Sequence, residues 1–214
     1  MSARAWPLEA LFTTLSSRLG GDAERLEEGD LLRLVTEARA GDAGARRQLY
    51  TQHVDQVFRT VRGMLHSDAD AEDVTQDALL TMLTSLGTYS PRPDARFATW
   101  VTTIAINTLR RRFRRRRPEL TATGELPEQT DDRADPGGDL DRARQRRALL
   151  LALRELPERD RTIVSLRYGS DLNASEIAVV VGIEAATVRK SLERSRTRLG
   201  ARIEALLGAQ GDPA

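Results

Sequence analysis

YSPRPDARFATWVTTIAINTLRRRFRRRR, residues 89–117, is the stretch from which the fold of this chain is best interpreted. It begins with a loop broken by Pro91 and Pro93 and continues as a helix that carries Phe97 and Trp100. It ends in seven arginines without an acidic residue between positions 110 and 117. Such a cationic helix end can neutralise nucleic-acid phosphates, and a neighbouring loop can hold unstacked bases. The pattern therefore predicts a surface for nucleic acid, most simply for an opened strand.

The composition favours small helical domains with aliphatic cores. The 214 residues suffice for one large domain or two small ones, and aromatic residues make up only 4%. The absence of cysteine excludes disulfides, thiolate zinc sites and a cysteine nucleophile, and two histidines are too few for a histidine-rich metal site. No signal peptide and no apolar run of about 18 residues is present. We expect a soluble cytoplasmic protein without metal or cofactor.

The first 29 residues form an extension with a short amphipathic helix. Pro7 can open this helix and the pair Gly20–Gly21 can end it. Its apolar side chains recur at helical spacing at Leu8, Leu11, Phe12, Leu15 and Leu19. Two interpretations stay open: the helix packs on the body of the protein, or it docks a regulatory partner.

Residues 30–117 are predicted to form a first domain of four helices. Asp30 is expected to cap the first helix and Gly41 to end it, and a longer helix follows over 43–65. Ser67–Asp68 caps the third, and the fourth runs from about Ala95 into the arginines. Because no sustained alternation of apolar and polar residues competes, we predict an all-α fold.

The third helix carries an acidic stripe. At 100° per residue, Asp70, Asp73 and Asp77 lie opposite the apolar residues Ala71, Ala78, Leu79, Met82 and Leu86. The stripe is either a solvated face or a contact for a basic partner helix. A metal site is disfavoured, since neither a histidine nor a second converging element accompanies the carboxylates.

A linker divides the chain. Residues 118–140 contain three prolines and the pair Gly137–Gly138 without an apolar period, and from 118 to 141 eight acids oppose Arg133 alone. This composition predicts a flexible acidic linker between two small helical domains. The second domain is expected over 141–207, followed by a short tail over 208–214.

The second domain ends in a helix-turn-helix pattern. Asn173 followed three residues later by Glu176 predicts a capping box, and Gly182 predicts a tight turn before the last helix. In that helix Val188, Leu192 and Leu199 face the core, so the opposite face is polar. Arginine and lysine on such a helix can contact guanine in the major groove, and Glu193 can accept from cytosine or pair with Arg189.

The ordered set DAEDVTQDALLTMLTSL, FATWVTTIAINTLRRRFRR and LRELPERDRTIVSLRYG…ASEIAVVVGIEAATVRKSLERSRTRL resembles bacterial RNA polymerase sigma factors of the extracytoplasmic-function (ECF) group of the sigma-70 family. The resemblance covers about residues 30–207. It implies a region 2 domain over 30–117, which binds core polymerase and the promoter −10 element. It further implies a region 4 helix-turn-helix over 141–207, which binds the −35 element.

The resemblance also implies roles for single residues. The set implied for core polymerase contact is Asp70, Asp73, Gln76 and Asp77. The set implied for the −10 element is Tyr89, Arg92, Asp94, Arg96, Asn107, Arg110, Arg111 and Arg114, with the loop at 89–96 capturing a flipped base. The set implied for the −35 element is Thr187, Arg189, Lys190, Glu193 and Arg194. Ser191 and Glu193 depart from the residues common in the family, so the resemblance implies an unusual −35 sequence.

The partners implied are core RNA polymerase, through the clamp helices of its largest subunit and the flap of the second largest, promoter DNA and an anti-sigma factor. No membrane insertion is expected, and the protein is expected to be a monomer on polymerase. No catalytic residue set supports an enzyme. Two alternatives stay open: a stand-alone helix-turn-helix regulator that binds duplex DNA, and a helical adaptor held by an inhibitor protein.

Overall fold

The computed structural model describes residues 7–15, 26–93, 95–123 and 140–208. In the helix that begins at Phe97, the side chains are described as far as Arg114. Within these residues the chain forms nine α-helices and no strand beyond an isolated bridge between Arg92 and Ala95. The helices are α1 Leu8–Thr13, α2 Glu28–Arg39, α3 Ala43–Arg62, α4 Asp68–Ser85, α5 Phe97–Thr123, α6 Leu140–Arg154, α7 Glu158–Gly169, α8 Ala174–Val181 and α9 Ala185–Gly208. The all-α prediction is confirmed. No helix of this described part is long and apolar enough to cross a membrane.

The first unit consists of α2 to α5. Asp42 caps α3 by accepting from the Ala45 N–H, and Ser67 caps α4 by accepting from the Asp70 N–H. The apolar faces predicted for α3 and α4 are buried: Leu49, Val54, Val57, Phe58, Val61, Leu65, Ala71, Ala78, Leu79, Met82 and Leu86. Gly41 ends α2 with φ of 98°, a conformation that favours glycine.

Two local expectations were wrong. Asp30 does not cap α2; the helix begins at Glu28, and Asp30 lies in its first turn. Acidic side chains stabilise any position of the first turn through the helix dipole, so an acid near the start does not mark the cap itself. The helix α5 continues to Thr123, so residues 118–123 of the expected linker are helical, because proline lowers helix propensity without forbidding a helix. The remaining linker, 124–139, lies outside the described residues.

The second unit consists of α6 to α9. Asn173 accepts from the N–H groups of Ser175 and Glu176, and the Glu176 carboxylate accepts from the Asn173 N–H, which confirms the capping box. Gly182 ends α8 in the left-handed conformation with φ of 78°. The short helix, the glycine turn and the long α9 form the predicted helix-turn-helix.

The two units pack against each other along α3 and α7. One apolar core contains Val57, Val61 and Leu79 of the first unit together with Ile163 and Leu166 of the second. The helices approach so closely that a Cβ added at Gly169 would lie 2.7 Å from the Cα of Thr60. We call this contact between α3 and α7 the seam. The two predicted helical units are therefore in direct contact in the described chain.

The helix α1 packs on the second unit. Leu8, Leu11, Phe12 and Leu15 are all at most 3% exposed and share an apolar core with residues of α6, α7 and α9. Of the two interpretations of the extension, the structure shows packing on the body of the protein. The expected end of this helix at Gly20–Gly21 lies outside the described residues.

Candidate nucleic-acid interface

An aromatic cluster supports the loop before α5. The ring centroids of Tyr89, Phe97 and Trp100 lie 4.9 to 5.4 Å apart, and the Phe97 side chain is completely buried. Arg39 donates to the carbonyl oxygens of Leu86 and Tyr89, which holds the start of the loop. Because Tyr89 is only 6% exposed, its ring acts here as a support for the loop. Its contact with DNA stays a prediction that would require the ring to leave this cluster.

Arg96 at the end of this loop binds the second unit. Its guanidinium donates to both carboxylate oxygens of Glu176, at 2.9 and 3.1 Å, and to the carbonyl oxygen of Asp171 at 2.9 Å. Burial alone would raise the pKa of Glu176, but hydrogen bonds from Arg96, the Asn173 N–H and Thr99 outweigh burial and lower it. Glu176 is therefore an ionised, buried acceptor that joins the loop to α8.

The outer face of α5 is a polar and basic stripe. Asn107, Arg110, Arg111 and Arg114 are exposed, at spacings of three, one and three residues along the helix. Arg92 in the loop is exposed as well, and Asp94 lies outside the described residues. Exposed guanidinium groups on a rigid helix can contact successive phosphates, and the Asn107 amide can donate to and accept from a base edge. Of the residues predicted to contact the −10 element, the four on α5 and Arg92 are thus exposed, whereas Tyr89 is buried and Arg96 binds the second unit.

The acidic stripe on α4 is only partly free. Arg112 of α5 donates to Asp70 at 3.0 Å and to Asp73 at 2.9 Å, so α4 and α5 are tied by two ion pairs. Gln76 and Asp77 are exposed. The run of arginines predicts phosphate contact for Arg112 as well, whereas the structure places this side chain against the stripe.

An open cleft of about 510 Å³ lies between α4 and α5. Its lining includes Asp77, Leu80 and Arg111, and the Leu80 side chain is 59% exposed. Leu80 shares the polar face of α4 with Asp73 and Asp77, because seven and three residues separate it from them. Leu80 is not among the predicted contact residues, although an apolar residue on an acidic helix face is a sequence signal for a contact residue.

The recognition helix α9 presents most of its predicted residues to solvent. Arg189, Lys190, Glu193 and Arg194 are exposed, whereas Thr187 is half-buried. Ser191 is completely buried and its hydroxyl bonds Asp160 at 2.6 Å, so this departure from the family pattern lies in the interior of the second unit. The exposed face thus offers hydrogen-bond donors from arginine and lysine and one acceptor from Glu193. Such a set can contact base edges in a major groove.

Metal ligands do not converge on this interface. In the residues that the structure describes, no group of three or more histidine, cysteine, aspartate or glutamate side chains could hold a metal ion.

Two protein-family models match this chain, one in each of the two units. Residues 49–119 match the family model described as Sigma-70 region 2, and residues 146–199 match Sigma-70, region 4. The chain is 31% identical over 174 residues to the ECF RNA polymerase sigma factor BldN of Streptomyces coelicolor, covering 81% of this chain and 65% of that protein. It is 30% identical over 153 residues to the RNA polymerase sigma-E factor of Streptomyces antibioticus, covering 70% and 79%.

Two solved structures resemble the fold. CnrH in complex with the cytosolic domain of CnrY matches with a TM-score of 0.57 and 24% identity over 84% of this chain and 97% of that one. The sigma factor RpoE of Bartonella quintana, in complex with the anti-sigma factor NepR, matches with a TM-score of 0.57 and 20% identity over 85% and 96%. At these identities the likeness concerns the fold.

Proposed function

Because this chain belongs to the ECF group of sigma-70 family RNA polymerase sigma factors, we propose that it binds core RNA polymerase and selects promoters by reading a −10 and a −35 element. Proteins of this family are transcription initiation factors and not enzymes. The observation that carries the proposal is the ordered placement of two exposed reading surfaces, α5 and α9, in the segments that match regions 2 and 4. This arrangement does not favour a stand-alone regulator, which needs no surface for an opened strand.

The α5 surface and the preceding loop are proposed to hold the opened −10 strand. Arg110, Arg111 and Arg114 neutralise phosphates, and Asn107 contacts a base edge. Extruding a base costs a few kcal/mol, and stacking or pocket contacts return about 1–3 kcal/mol per base. Strand opening is thus driven by the binding of extruded bases, without a chemical step.

The α9 surface is proposed to read the −35 duplex. Arg189, Lys190 and Arg194 project from a capped helix-turn-helix, and Glu193 adds an acceptor on the same exposed face. A bidentate arginine–guanine contact contributes about 1–3 kcal/mol of discrimination against another base. The identity of the bases follows from these four side chains rather than from Ser191, which is buried.

The acidic face of α4 is proposed to bind a basic element of polymerase, namely the clamp helices of the largest subunit. Asp77, Gln76 and Leu80 are exposed, and Asp73 is 60% exposed despite its ion pair with Arg112. A charged rim around an apolar anchor is the common anatomy of a protein interface. The second unit is proposed to contact the flap of the second largest subunit.

An anti-sigma factor is proposed as a further partner. The support is the fold similarity to CnrH and RpoE, whose solved structures contain CnrY and NepR respectively. Since polymerase is cytoplasmic, we place the protein in the cytoplasm, as a monomer on polymerase.

The test is transcription in vitro by core polymerase with this protein on fragmented genomic DNA, followed by sequencing of transcript 5′ ends. The expected result is a set of start sites that share a −10 and a −35 motif. Start sites that are identical with and without the protein would contradict the proposal.

A charge reversal tests the polymerase contact separately. The variant Asp77→Lys is expected to weaken core binding at least about tenfold, because a lysine repels a basic partner surface. The control is Asp30→Lys, which reverses another exposed acid, on α2. Equal core affinity of the two variants would rule out the α4 face as the contact.

A further inference from the structure

The helix α1 lies outside both family segments, yet its apolar side is fully buried. Leu8, Leu11, Phe12 and Leu15 occupy positions i, i+3, i+4 and i+7, which form one face of a helix. They pack in a core with Leu149, Leu153, Leu199 and Ile203 of the second unit. A helix of six residues is unstable alone in water, so its order depends on this groove.

Phe12 contacts both units. Its ring lies 5.7 Å from the ring of Tyr168 in α7. Its Cε1 atom lies 3.2 Å from the position that a Cβ would occupy at Gly63, the residue that ends α3. Because Phe12 is completely buried between α3 and α7, α1 closes one end of the seam.

Polar contacts hold the seam beyond Phe12. The hydroxyl groups of Thr60 and Ser170 lie 2.6 Å apart, and Thr102 donates to the Ser170 oxygen at 3.2 Å. At another point Arg146 of α6 donates to Asp68 of α4 at 2.5 Å. Buried hydroxyls that are satisfied across an interface stabilise it and specify its geometry.

The closed arrangement engages the loop that the proposed function assigns to base capture. Arg96 is bound to Glu176 and to the carbonyl oxygen of Asp171, so three of its five N–H donors are used within the protein. Ile177 and Val180 of α8 are buried in the core shared with the first unit. The exposed faces of α5 and α9 are therefore fixed relative to each other by the seam.

In the closed body, the faces of α5 and α9 lie closer together than the −10 and −35 elements of a promoter. Even a packed body of all 214 residues would have a radius of gyration of about 17 Å, so the described body is at most about 45 Å across. Elements centred about 25 base pairs apart lie about 85 Å apart along B-DNA, at about 3.4 Å per base pair. The closed body cannot contact both elements at once, so the seam must open before a promoter is bound.

We propose that the closed body is an inactive form of the protein and that α1 is the clasp that keeps it closed. The inactivity rests on the proposed function, whereas the clasp rests on the contacts of α1 alone. Release of Phe12 and its apolar neighbours from the groove removes one of the contacts that span both units and opens the end of the seam that Phe12 covers. The seam then opens, Arg96 becomes free, and the two reading faces can separate.

The first experiment measures the distance between the units in the full chain. The sequence contains no cysteine, so Ala40→Cys and Ala201→Cys, both at exposed positions, can be labelled alone with a donor and an acceptor dye. Leu11→Ser with Phe12→Ser is expected to convert a short-distance population into a long-distance one. The matched control replaces the opposite face of α1, with Ala10→Ser and Thr13→Ser, and circular dichroism verifies that the remaining helices persist. Identical distance distributions in the two variants would overturn the clasp.

The second experiment locks the seam covalently and needs no change in α1. Thr60→Cys with Ser170→Cys places two sulfurs where the hydroxyl oxygens are 2.6 Å apart, close enough for a disulfide after small adjustments. The oxidised protein is expected to lose at least tenfold in promoter-dependent transcription with core polymerase, and reduction to restore it. Each single cysteine variant is the control.

The outcomes separate the two proposals. Equal transcription by the oxidised and reduced protein would show that the closed body is active and would overturn the inhibitory role. Absence of transcription from the reduced protein and from the single variants would instead contradict the proposed function. The distance measurement with the α1 variants would still decide on the clasp.

Discussion

Gly169 is the position at which a single methyl group should force the two units apart. It is the last residue of α7 and faces Thr60 of α3. A Cβ at this position would lie 2.6 Å from the Thr60 Oγ1, 2.7 Å from its Cα and 2.8 Å from its N. Two of these atoms belong to the backbone of a helix and cannot rotate away. Since carbon atoms pack best at about 3.5 Å, the helices must separate by roughly 0.8 Å at this point.

Gly169→Ala should destabilise the contact between the two units, whereas the folding of the second unit itself should not be weakened. Overpacking of this size costs about 1–3 kcal/mol, and it arises only when α3 and α7 are in contact. Alanine also favours the α7 helix by up to about 1 kcal/mol, in the closed and the open form alike. The ratio of open to closed protein should therefore rise about 5- to 140-fold.

The assay is energy transfer between dyes at positions 40 and 201 of the full chain. The control is Gly29→Ala, a helical glycine in α2 where nothing lies within 4 Å of the added Cβ. Gly169→Ala should enlarge the long-distance population and raise promoter-dependent transcription, while the control leaves both unchanged. If Gly169→Ala matches Gly29→Ala in both measurements, the close approach at the seam does not control opening and the reasoning fails.

Three further perturbations test other parts of the structure. Asn173→Ala removes one side of the capping box and should lower the free energy of unfolding by about 1–2 kcal/mol in urea titrations; an unchanged midpoint would contradict the cap. Asp70→Lys leaves Arg112 facing a positive charge, so the free energy of unfolding should fall by about 0.5–1 kcal/mol and thermal unfolding should occur at a lower temperature. The pKa of His66 is held below its ordinary value of 6.5, first by partial burial and then by the guanidinium groups of Arg154, Arg161 and Arg62. A lowered pKa means that the folded protein binds the proton less well than the unfolded chain, so stability is full above about pH 6.5 and falls as the pH drops below it. His66→Asn should therefore reduce the decrease in the free energy of unfolding between pH 7.5 and 5.5. If the decrease is the same as in the unchanged protein, groups other than His66 cause it.

Local sequence signals determined the helices because each signal lies within about one turn of the residue it controls. Asn173 and Glu176 are three residues apart, so their capping box is visible in the sequence, as is the glycine at 182 that must adopt a positive φ. The apolar faces of α3 and α4 follow from the helical period alone. The cap of α2 was misplaced because several neighbouring acids satisfy the same helix dipole.

The tertiary structure alone decided which of these surfaces are free and how the units meet. Arg96 and Glu176 are 80 residues apart, and Arg112 lies 39 and 42 residues from its partners Asp73 and Asp70. No spacing rule links such residues, because a basic run and an acidic stripe look the same in sequence whether they bind solvent, DNA or each other. The amphipathic pattern of α1 likewise predicts that one face is buried. Which groove of the protein buries that face depends on the tertiary packing. The sequence therefore determined the helices and their family, whereas the seam, the clasp and the occupied Arg96 depend on contacts between residues far apart in the chain.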